Sequence, residues 1–235
     1  MKTILDYNKE IYCAEEENSY ILRKYHQIRI NIVFNLIKKE IHSKGKNIKM
    51  LSLACATGIF EERVIEELGI NVHGIDGTKE SIEQAIKRGI MTKIGDVSKK
   101  LPYNDQTFDI VYAGEIIEHL IDTRFFLQEV NRILKPQGVF VLTTPNLATF
   151  PDRIRFLSGK TPRQIQPMHP YLFLHIRPFT FQSLRDSLER TGFSIEEIKS
   201  NYVYLWNSEI AKSRTLAKLF PTLGGTLIVK ARKTK

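Results

Sequence analysis

The apolar positions of this chain follow two alternating spacings. Between residues 18 and 39 they recur every three or four positions, which is the spacing of one helix face. After a polar break at residues 44–47, short apolar runs typical of buried strands alternate with further helical segments. The predicted strands cover residues 49–54, 71–75, 91–94, 108–113, 139–143, 193–200 and 226–231.

Helical spacing separates most of these strands. It predicts helices over residues 59–68, 79–87, 123–133 and 180–191, with Asp122 or Thr123 and then Thr180 as N-caps. Short buried strands that alternate with helices favour a parallel sheet covered on both faces. The fold class is therefore predicted to be α/β, a Rossmann-like three-layer sandwich with a seven-stranded, mostly parallel sheet.

One segment interrupts this alternation. Residues 145–178 contain six prolines and only one short predicted helix, near residues 152–157. Long irregular segments of this kind often cover a binding site, so we expect a lid insertion after strand 5. We predict one domain over residues 1–235, with an N-terminal helical flap at residues 1–45 and the lid at residues 145–178.

Composition excludes several classes of protein. The chain has 42% hydrophobic and 26% charged residues, as ordinary globular proteins do. No apolar run approaches the roughly 20 residues that a membrane-spanning helix needs, and no secretory signal is visible at the N-terminus. Cys13 and Cys55 are therefore expected to be free thiols, and the expected location is the cytoplasm.

Positive charge is concentrated in the last third of the chain. Residues 151–235 contain 15 Lys and Arg against 6 Asp and Glu, whereas residues 1–150 contain 20 of each. The whole net charge of +9 thus lies in residues 151–235. Such asymmetry favours an anionic partner, namely an acidic small molecule, a nucleic acid or an anionic membrane surface. A solubilising surface accounts for part of it.

Candidate chemistry follows the predicted strands. In an open parallel sheet, ligands bind at the carboxyl ends of the strands, near the point where the strand order reverses. The loop at residues 54–58 is built of small residues and leads into a helix, an arrangement that lets an anionic ligand approach the backbone. Asp76 and Gly77 follow the second strand, where a carboxylate can accept ribose hydroxyls. Asp96 and Val97 follow the third strand.

Together these blocks resemble the class I S-adenosylmethionine (SAM)-dependent methyltransferases, in particular the group that includes the ubiquinone-biosynthesis O-methyltransferases. The resemblance runs from about residue 29 to residue 193. It is carried by LSLACATG at residues 51–58, GID at 74–76, GDV at 95–97, FDIVYAGEIIEHL at 108–120 and FLQEVNRILKPQG at 126–138. The most specific part is the fourth-strand block together with the LKPxG turn.

The resemblance implies SAM as the cofactor and a role for each matching residue. The 54–58 loop would hold the methionine end, Asp76 the ribose, and Asp96 with Val97 the adenine, while Glu115 would lie along the cofactor floor. Arg29 matches an N-terminal arginine that contacts the SAM carboxylate. The implied cofactor-binding residues are Arg29, Ala54, Cys55, Ala56, Thr57, Gly58, Asp76, Gly77, Asp96, Val97 and Glu115.

Three positions depart from the family pattern. Ser52 stands where the family usually has an acidic residue, and Ala54 and Ala56 stand where it usually has glycines. Alanine costs little where φ is negative but is strained where φ is positive. The lost carboxylate is expected to remove one group that helps to hold the cofactor's ammonium, and we expect weaker binding than usual.

His119 and His175 are the candidate catalytic residues, as general bases or acceptor-facing groups. If the chain turns helical directly after the fourth strand, Glu115, Glu118 and His119 share one helix face. That cluster resembles the acid-acid-histidine set of small-RNA 2′-O-methyltransferases and could hold a divalent ion, completed by His169 or His175. Many methyltransferases without a metal share the same block, and we assign no metal ligands.

The predicted function is methyl transfer from SAM to an oxygen or nitrogen atom of a small acceptor. Basic residues in the lid favour an anionic acceptor, because arginine binds phosphate and carboxylate in a bidentate manner. Two alternatives stay open: a metal-assisted RNA 2′-O-methyltransferase, and a non-catalytic SAM-fold module that binds a partner through its basic last third. The lid's basic residues are Arg153, Arg155, Lys160, Arg163 and Arg177.

Overall fold

The fold is described from a computed structural model. It covers residues 23–45, 47–166, 168–169, 172–205 and 211–234. Residues 1–22 of the predicted N-terminal flap, with Cys13, lie outside the described residues.

Strands and helices alternate along the described chain, much as the apolar pattern predicts. The strands are β1 (Lys49–Leu53), β2 (Asn71–Asp76), β3 (Met91–Ile94), β4 (Phe108–Gly114), β5 (Leu134–Pro145), β6 (Phe193–Lys199), β7 (Val203–Tyr204), β8 (Lys212–Ser213) and β9 (Thr226–Lys233). The α-helices are α1 (Lys24–Lys44), α2 (Ile59–Leu68), α3 (Lys79–Lys87), α4 (Thr123–Ile133), α5 (Phe150–Leu157), α6 (Phe181–Arg190) and α7 (Arg214–Leu219). Short 3-10 turns cover Ile117–His119, Leu172–Leu174 and Pro221–Leu223.

The main sheet has seven strands in the order β3-β2-β1-β4-β5-β9-β6. The pairs between β3, β2, β1, β4 and β5 are parallel, while β9 runs antiparallel to both β5 and β6. Leu53 lies beside Ile75 of β2 and Ala113 of β4, so the strand order reverses at β1. The carboxyl ends of β1, β2 and β4 therefore meet at one edge, where open α/β sheets bind ligands. The predicted fold class is confirmed.

Apolar side chains fill both faces of the sheet. One cluster packs α4 and α6 against the sheet, for example through Phe126 and Leu188. The other packs α1, α2 and α3 against the opposite face, for example through Val33, Val64 and Ala85. This arrangement of helix, sheet and helix gives three layers, as the strands that are buried on both sides require.

Polar contacts near both ends of α1 join this helix to β9. Near the start of the helix, the Tyr25 hydroxyl lies 2.7 Å from Thr226 Oγ1. Near its end, the Glu40 carboxylate, only 2% exposed, lies 2.7 Å from Lys230 Nζ and 3.0 Å from an Arg232 nitrogen. These contacts fix the helix that carries Arg29 along the sheet.

The segment that follows β5 is anchored at both ends. The Asn146 side chain donates to the carbonyl oxygens of Thr222 and Gly224, and the Leu147 amide donates to the Phe179 carbonyl. Between them, α5 and the residues after it leave large apolar side chains in solvent. The most exposed of these are Phe156 and Leu157 of α5, at 71% and 87%, and Met168 beyond the helix, at 96%. Whether the segment acts as a lid stays a prediction.

The chain departs from the predicted elements in two places. The apolar pattern predicts the fifth strand only from residue 139, yet β5 already begins at Leu134, which pairs with Phe108 across an irregularity in register. Gln137 takes the left-handed conformation within that stretch, with φ of 60°. The hairpin of β7 and β8 and the helix α7 lie where the apolar pattern predicts no element.

Candidate active site at the switch point of the sheet

The loop between β1 and α2 turns sharply at three positions. Ala54, Ala56 and Gly58 have φ values of 55°, 52° and 80°. Between them, the buried Cys55 packs under β2, where a Cβ added to Gly74 would lie 2.6 Å from its sulfur. Thr57 is fully buried. The residues predicted to hold the methionine end therefore form one tight turn of small residues at the edge of the sheet.

Both alanines lie in the region that glycine favours. A left-handed conformation costs an L-residue about 1–2 kcal/mol. The expectation that alanine costs little here requires negative φ, and neither residue meets it. The loop therefore keeps the backbone path that glycines would take and accepts local strain, a pattern characteristic of binding sites.

Asp76 joins the loop to the tip of β2. Its Oδ2 accepts a hydrogen bond of 3.0 Å from the Ala56 amide, and its Oδ1 accepts one of 2.9 Å from the Thr78 amide. Burial raises the pKa of Asp76, while backbone donors at Thr78, Ala56 and Gly77 act in the opposite direction. These donors hold the carboxylate in one orientation at the tip of β2, where the resemblance places the ribose hydroxyls.

The end of β3 lies beside Asp76. Ile94 pairs with Asp76, and the Gly95 amide donates to the Asp76 carbonyl over 2.9 Å. Asp96 accepts from the Ser98 amide at 2.9 Å and from its hydroxyl at 2.6 Å, while Val97 is buried. The predicted ribose and adenine residues are thus neighbours, although Asp96 already accepts two hydrogen bonds within its own turn.

Arg29 and Glu115 form an ion pair at the same edge of the sheet. An Arg29 guanidinium nitrogen lies 3.1 Å from Glu115 Oε1, and the Thr143 hydroxyl donates to that oxygen over 2.8 Å. Arg29 is only 5% exposed, so α1 delivers a buried positive charge to the ends of β4 and β5. The pairing of Arg29 with Glu115 was not predicted from the sequence.

These residues fit SAM. The ligand needs a close backbone approach at its methionine end and a carboxylate acceptor at its ribose. The tight turn at residues 54–58 provides the first, and the anchored Asp76 provides the second. Arg29 adds a cation of the sign that the methionine carboxylate requires.

A second set of polar groups lies beyond β4. Glu118, His119 and His175 each offer one ligand atom, and these atoms lie within 4.8 Å of one another. His119 Nδ1 lies 3.1 Å from the Leu174 carbonyl oxygen, so it is the protonated nitrogen, and Nε2 keeps its lone pair. The Arg177 amide donates to the Glu118 carbonyl, which holds the end of the predicted lid against this turn.

Burial keeps both imidazoles neutral. Burial, followed by the neighbouring His175, lowers the pKa of His119 to about 4. Burial also lowers the pKa of His175. Burial and the charge of Glu115 raise the pKa of Glu118 well above its ordinary value. Glu118 Oε2 accepts from the Thr144 hydroxyl over 2.9 Å, whereas Oε1 has no hydrogen-bond partner among the described residues. Two neutral imidazoles and a buried carboxyl oxygen form a donor set that a divalent cation could use.

The predicted shared helix face of Glu115, Glu118 and His119 does not form. Glu115 adopts φ of 55°, and only Ile117–His119 makes a single 3-10 turn. A left-handed residue cannot continue a right-handed helix, so Glu115 turns toward Arg29 instead. Of the two candidates to complete the set, His175 joins it and His169 does not.

The structure also contains a buried acid that sequence reasoning missed. Glu61, on the first turn of α2, is 3% exposed, and its Oε1 accepts from the Ser52 hydroxyl over 2.6 Å. Its spacing from Val64 and Leu68 places it on the buried face of the helix, and this spacing was the available signal. Burial raises the pKa of Glu61 to about 7.

The basic residues of the predicted lid are partly engaged in its own structure. Arg163 and Arg155 lie 3.1 Å and 3.9 Å from the buried carboxylate of Asp152. Arg153 donates to the Ala148 carbonyl, and Arg177 donates to the Ile121 carbonyl, but both side chains remain exposed. The charges that face solvent are therefore fewer than the sequence implies.

Comparison with known proteins assigns the fold to a family. The family described as "Methyltransferase domain" matches residues 44–171. The ubiquinone biosynthesis O-methyltransferase of Pelagibacter ubique is 31% identical over 134 residues, which cover 53% of this chain and 55% of that protein. The human mitochondrial enzyme of the same name is 26% identical over 200 residues, 78% of this chain and 53% of that protein. The chain thus spans about half the length of these relatives.

A solved structure of a SAM-dependent methyltransferase from Thermotoga maritima shares the fold. It superposes with a TM-score of 0.66 at 18% identity, covering 98% of this chain and all of that one. Within the described part of the chain, no helix is both long and apolar enough to cross a bilayer. Because the family match covers more than half of the sequence, the chain belongs to the methyltransferase domain family, and SAM is its expected cofactor.

Proposed function

We propose that the chain transfers the methyl group of SAM to an oxygen or nitrogen atom of a small, negatively charged acceptor, and that a hydroxyl oxygen suits the site best. The observation that carries the choice of oxygen is the set of Glu118, His119 and His175 beside the cofactor edge. A hydroxyl must lose a proton to react, and this set offers groups that can take it. Relatives named as O-methyltransferases of ubiquinone biosynthesis support the same choice.

When bound, SAM supplies a methyl group that its sulfonium already activates. The chain's own tasks are then to align the acceptor, exclude water and remove a proton. Asp76 and the loop at residues 54–58 orient the cofactor, and Arg29 stabilises its carboxylate. The methyl group would pass to the acceptor oxygen as the hydroxyl proton passes to the protein, and S-adenosylhomocysteine would be the second product.

The two histidines are unequal as bases. His119 is a weak proton acceptor because its pKa is about 4, and its Nδ1 is committed to the Leu174 carbonyl. His175 is half-buried and lies on the segment that packs against the turn at Glu118. We therefore assign proton removal to His175 and the orientation of the acceptor to His119.

A divalent cation offers a second way to remove the proton. Glu118, His119 and His175 would hold the ion through one carboxylate and two neutral imidazoles. A bound divalent cation lowers the pKa of a coordinated hydroxyl, which makes a strong base unnecessary. The Glu118 oxygen that no described residue hydrogen-bonds favours this candidate. The same donor set would serve a 2′-hydroxyl of RNA.

The exposed Arg153, Arg177 and Lys160 support an anionic acceptor. A screen for metabolites and short RNAs that gain a methyl group from isotopically labelled SAM would identify it by mass spectrometry. An acceptor without negative charge would contradict this part of the proposal. Repeating the assay with chelator separates the two routes: activity that a chelator removes and added metal restores supports the cation, whereas activity that a chelator leaves unchanged supports His175 as the base.

Cofactor binding is tested by calorimetry. Asp76→Asn should weaken SAM binding by about tenfold to a hundredfold, because hydrogen bonds to a charged group contribute about 1.5–3 kcal/mol. Asp186→Asn, an exposed change on α6, is the matched control and should leave affinity unaltered. Absence of SAM binding at millimolar concentration by the unmodified protein would instead favour the non-catalytic module. Unchanged affinity in Asp76→Asn would show that the ribose site lies elsewhere.

A further inference from the structure

A carboxyl group is buried against β1, just after the loop at residues 54–58. Glu61 follows Gly58 by three residues and lies on the first turn of α2. The residue is 3% exposed, and the Ser52 hydroxyl donates to it over 2.6 Å. Burying an acid is costly unless something compensates for the loss of solvent. The Ser52 hydroxyl and the backbone amide of Glu61 itself are a small compensation for a group that could carry a full charge.

The surroundings of Glu61 include groups from three neighbouring elements. Ser52 of β1 donates to it, Asp76 of β2 repels its charge, and Tyr112 of β4 lies within electrostatic range. Arg29 of α1 and its ion-pair partner Glu115 act on the same tyrosine. Among the described residues, the Glu61 carboxyl on α2 and the Arg29 guanidinium on α1 thus both act on Tyr112 of β4.

Such a pair of charges matches the two ends of an α-amino acid. The methionine part of SAM carries an ammonium and a carboxylate on one carbon. A cation at Arg29 suits the carboxylate, and an anion nearby suits the ammonium. Ser52 pairs with Tyr112 across β1 and β4, so a side chain at position 52 points to the same face. An aspartate at position 52 would place its carboxylate about where the Ser52 hydroxyl lies, 2.6 Å from Glu61 Oε1.

We propose that Glu61 is the electrostatic partner of the cofactor's ammonium, replacing from α2 the acid that β1 lacks at Ser52. This inference rests on the proposed SAM binding and assigns to Glu61 the role of the carboxylate that position 52 lacks. A cation bound above Glu61 favours its ionised form and compensates for its burial. Burial raises the pKa of the unliganded Glu61 carboxyl to about 7. Near neutral pH, SAM binding should therefore favour loss of the Glu61 proton, because the ammonium stabilises the ionised carboxylate.

The test compares ligands with and without the amino-acid part. Glu61→Gln keeps the size of the side chain and its ability to accept from Ser52, but it removes the charge. We expect tenfold to hundredfold weaker binding of both SAM and S-adenosylhomocysteine by calorimetry. Binding of 5′-methylthioadenosine, which lacks the ammonium and the carboxylate, should change by less than twofold. The matched control Glu66→Gln lies exposed on the same helix and should affect none of the ligands.

Two further measurements separate this role from a structural one. The midpoint of thermal unfolding of unliganded Glu61→Gln should not fall, because the variant removes a carboxyl group whose burial is unfavourable. SAM binding by the unmodified protein should tighten several-fold from pH 6 to pH 7.5, and Glu61→Gln should lose that added dependence. Ser52→Asp/Glu61→Ala returns the acid to β1 and should recover most of the lost affinity.

Three outcomes would overturn the proposal. These are equal affinity of Glu61→Gln and the unmodified protein for SAM, an equal loss for 5′-methylthioadenosine, and failure of the relocated acid to restore binding in a folded double variant. Failure of the proposed function looks different, because the unmodified protein would then bind neither SAM nor S-adenosylhomocysteine.

Discussion

The two strained alanines of the cofactor loop make a quantitative prediction. Ala54 and Ala56 have φ values of 55° and 52°, and replacing either with glycine removes a penalty of about 1–2 kcal/mol. Glycine also gives the unfolded chain more conformational freedom, which lowers the free energy of unfolding by about 0.4–1 kcal/mol. Each substitution should therefore raise the free energy of unfolding by about 0.5–1 kcal/mol, and the pair by about 1–2 kcal/mol.

Urea and thermal unfolding of the unliganded protein measure this change. For a domain of this length, each kcal/mol corresponds to a shift of about 2–4 °C in the unfolding midpoint. Ala148→Gly is the matched control, because it is a turn alanine outside the left-handed region. It should lower the free energy of unfolding by about 0.5–1 kcal/mol, since only the unfolded-state effect remains.

The sign of the difference decides whether the loop is strained. If Ala54→Gly and Ala56→Gly destabilise the protein as much as Ala148→Gly does, the two alanines carry no conformational penalty. The Ala56 amide that donates to Asp76 is kept in the variant. SAM affinity should therefore stay within about threefold, and a tenfold loss would mean that the alanine methyl groups themselves contact the cofactor.

Three further substitutions test the surrounding structure. Glu40→Gln removes the carboxylate from a buried ion cluster and should lower the free energy of unfolding by about 2–3 kcal/mol at pH 7. This is less than breaking a fully buried ion pair costs, because Lys230 and Arg232 are partly exposed. Burial alone would raise the pKa of Glu40, but hydrogen bonds from Arg232, Lys230 and Lys44 lower it to about 2, so the stabilisation is present above pH 4.5. It is lost as the pH falls toward 2, and urea unfolding at pH 7 and pH 3 should show the two proteins converging. Gly58→Ala would place a Cβ 2.2 Å from Ile90 Cδ1 at a residue with positive φ. It should lower the free energy of unfolding, measured by thermal unfolding, by about 2–4 kcal/mol. A loss below about 1 kcal/mol would contradict this crowding. Asp152→Asn weakens the anchor of the predicted lid and should speed limited proteolysis within residues 150–166 while leaving the global unfolding midpoint within about 2 °C.

The fold was largely predictable because its elements carry strong apolar periodicity. Helices α2 and α3 and strand β3 match the predicted residues at both ends. The start of β5 was missed because residues 135–138 contain proline and glycine, which normally end a strand. Pairing of Leu134 with Phe108 outweighs that local preference. The hairpin of β7 and β8 has only two residues per strand, too few to show any period.

The candidate site was predictable where the chemistry follows the strand ends, as at Asp76. It was less predictable where backbone conformation decides direction. The left-handed turn at Glu115 separates it from Glu118 and sends it toward Arg29, and no side-chain spacing reveals such a turn. Glu61 was missed for a different reason: an acid among several acids on one helix reads as a surface charge unless its spacing from the apolar positions is checked.

The place of β9 in the sheet has a consequence for protein synthesis. It lies between β5 and β6, yet the ribosome makes it after both. From the end of β5 at Pro145 to the start of β9 at Thr226, roughly eighty residues must be added, about 4–16 s at about 5–20 residues per second. During that time, β5 presents an open, apolar edge to other nascent chains. Helix α1, which carries Arg29, also lacks its partners Thr226 and Lys230 until this last described strand has emerged.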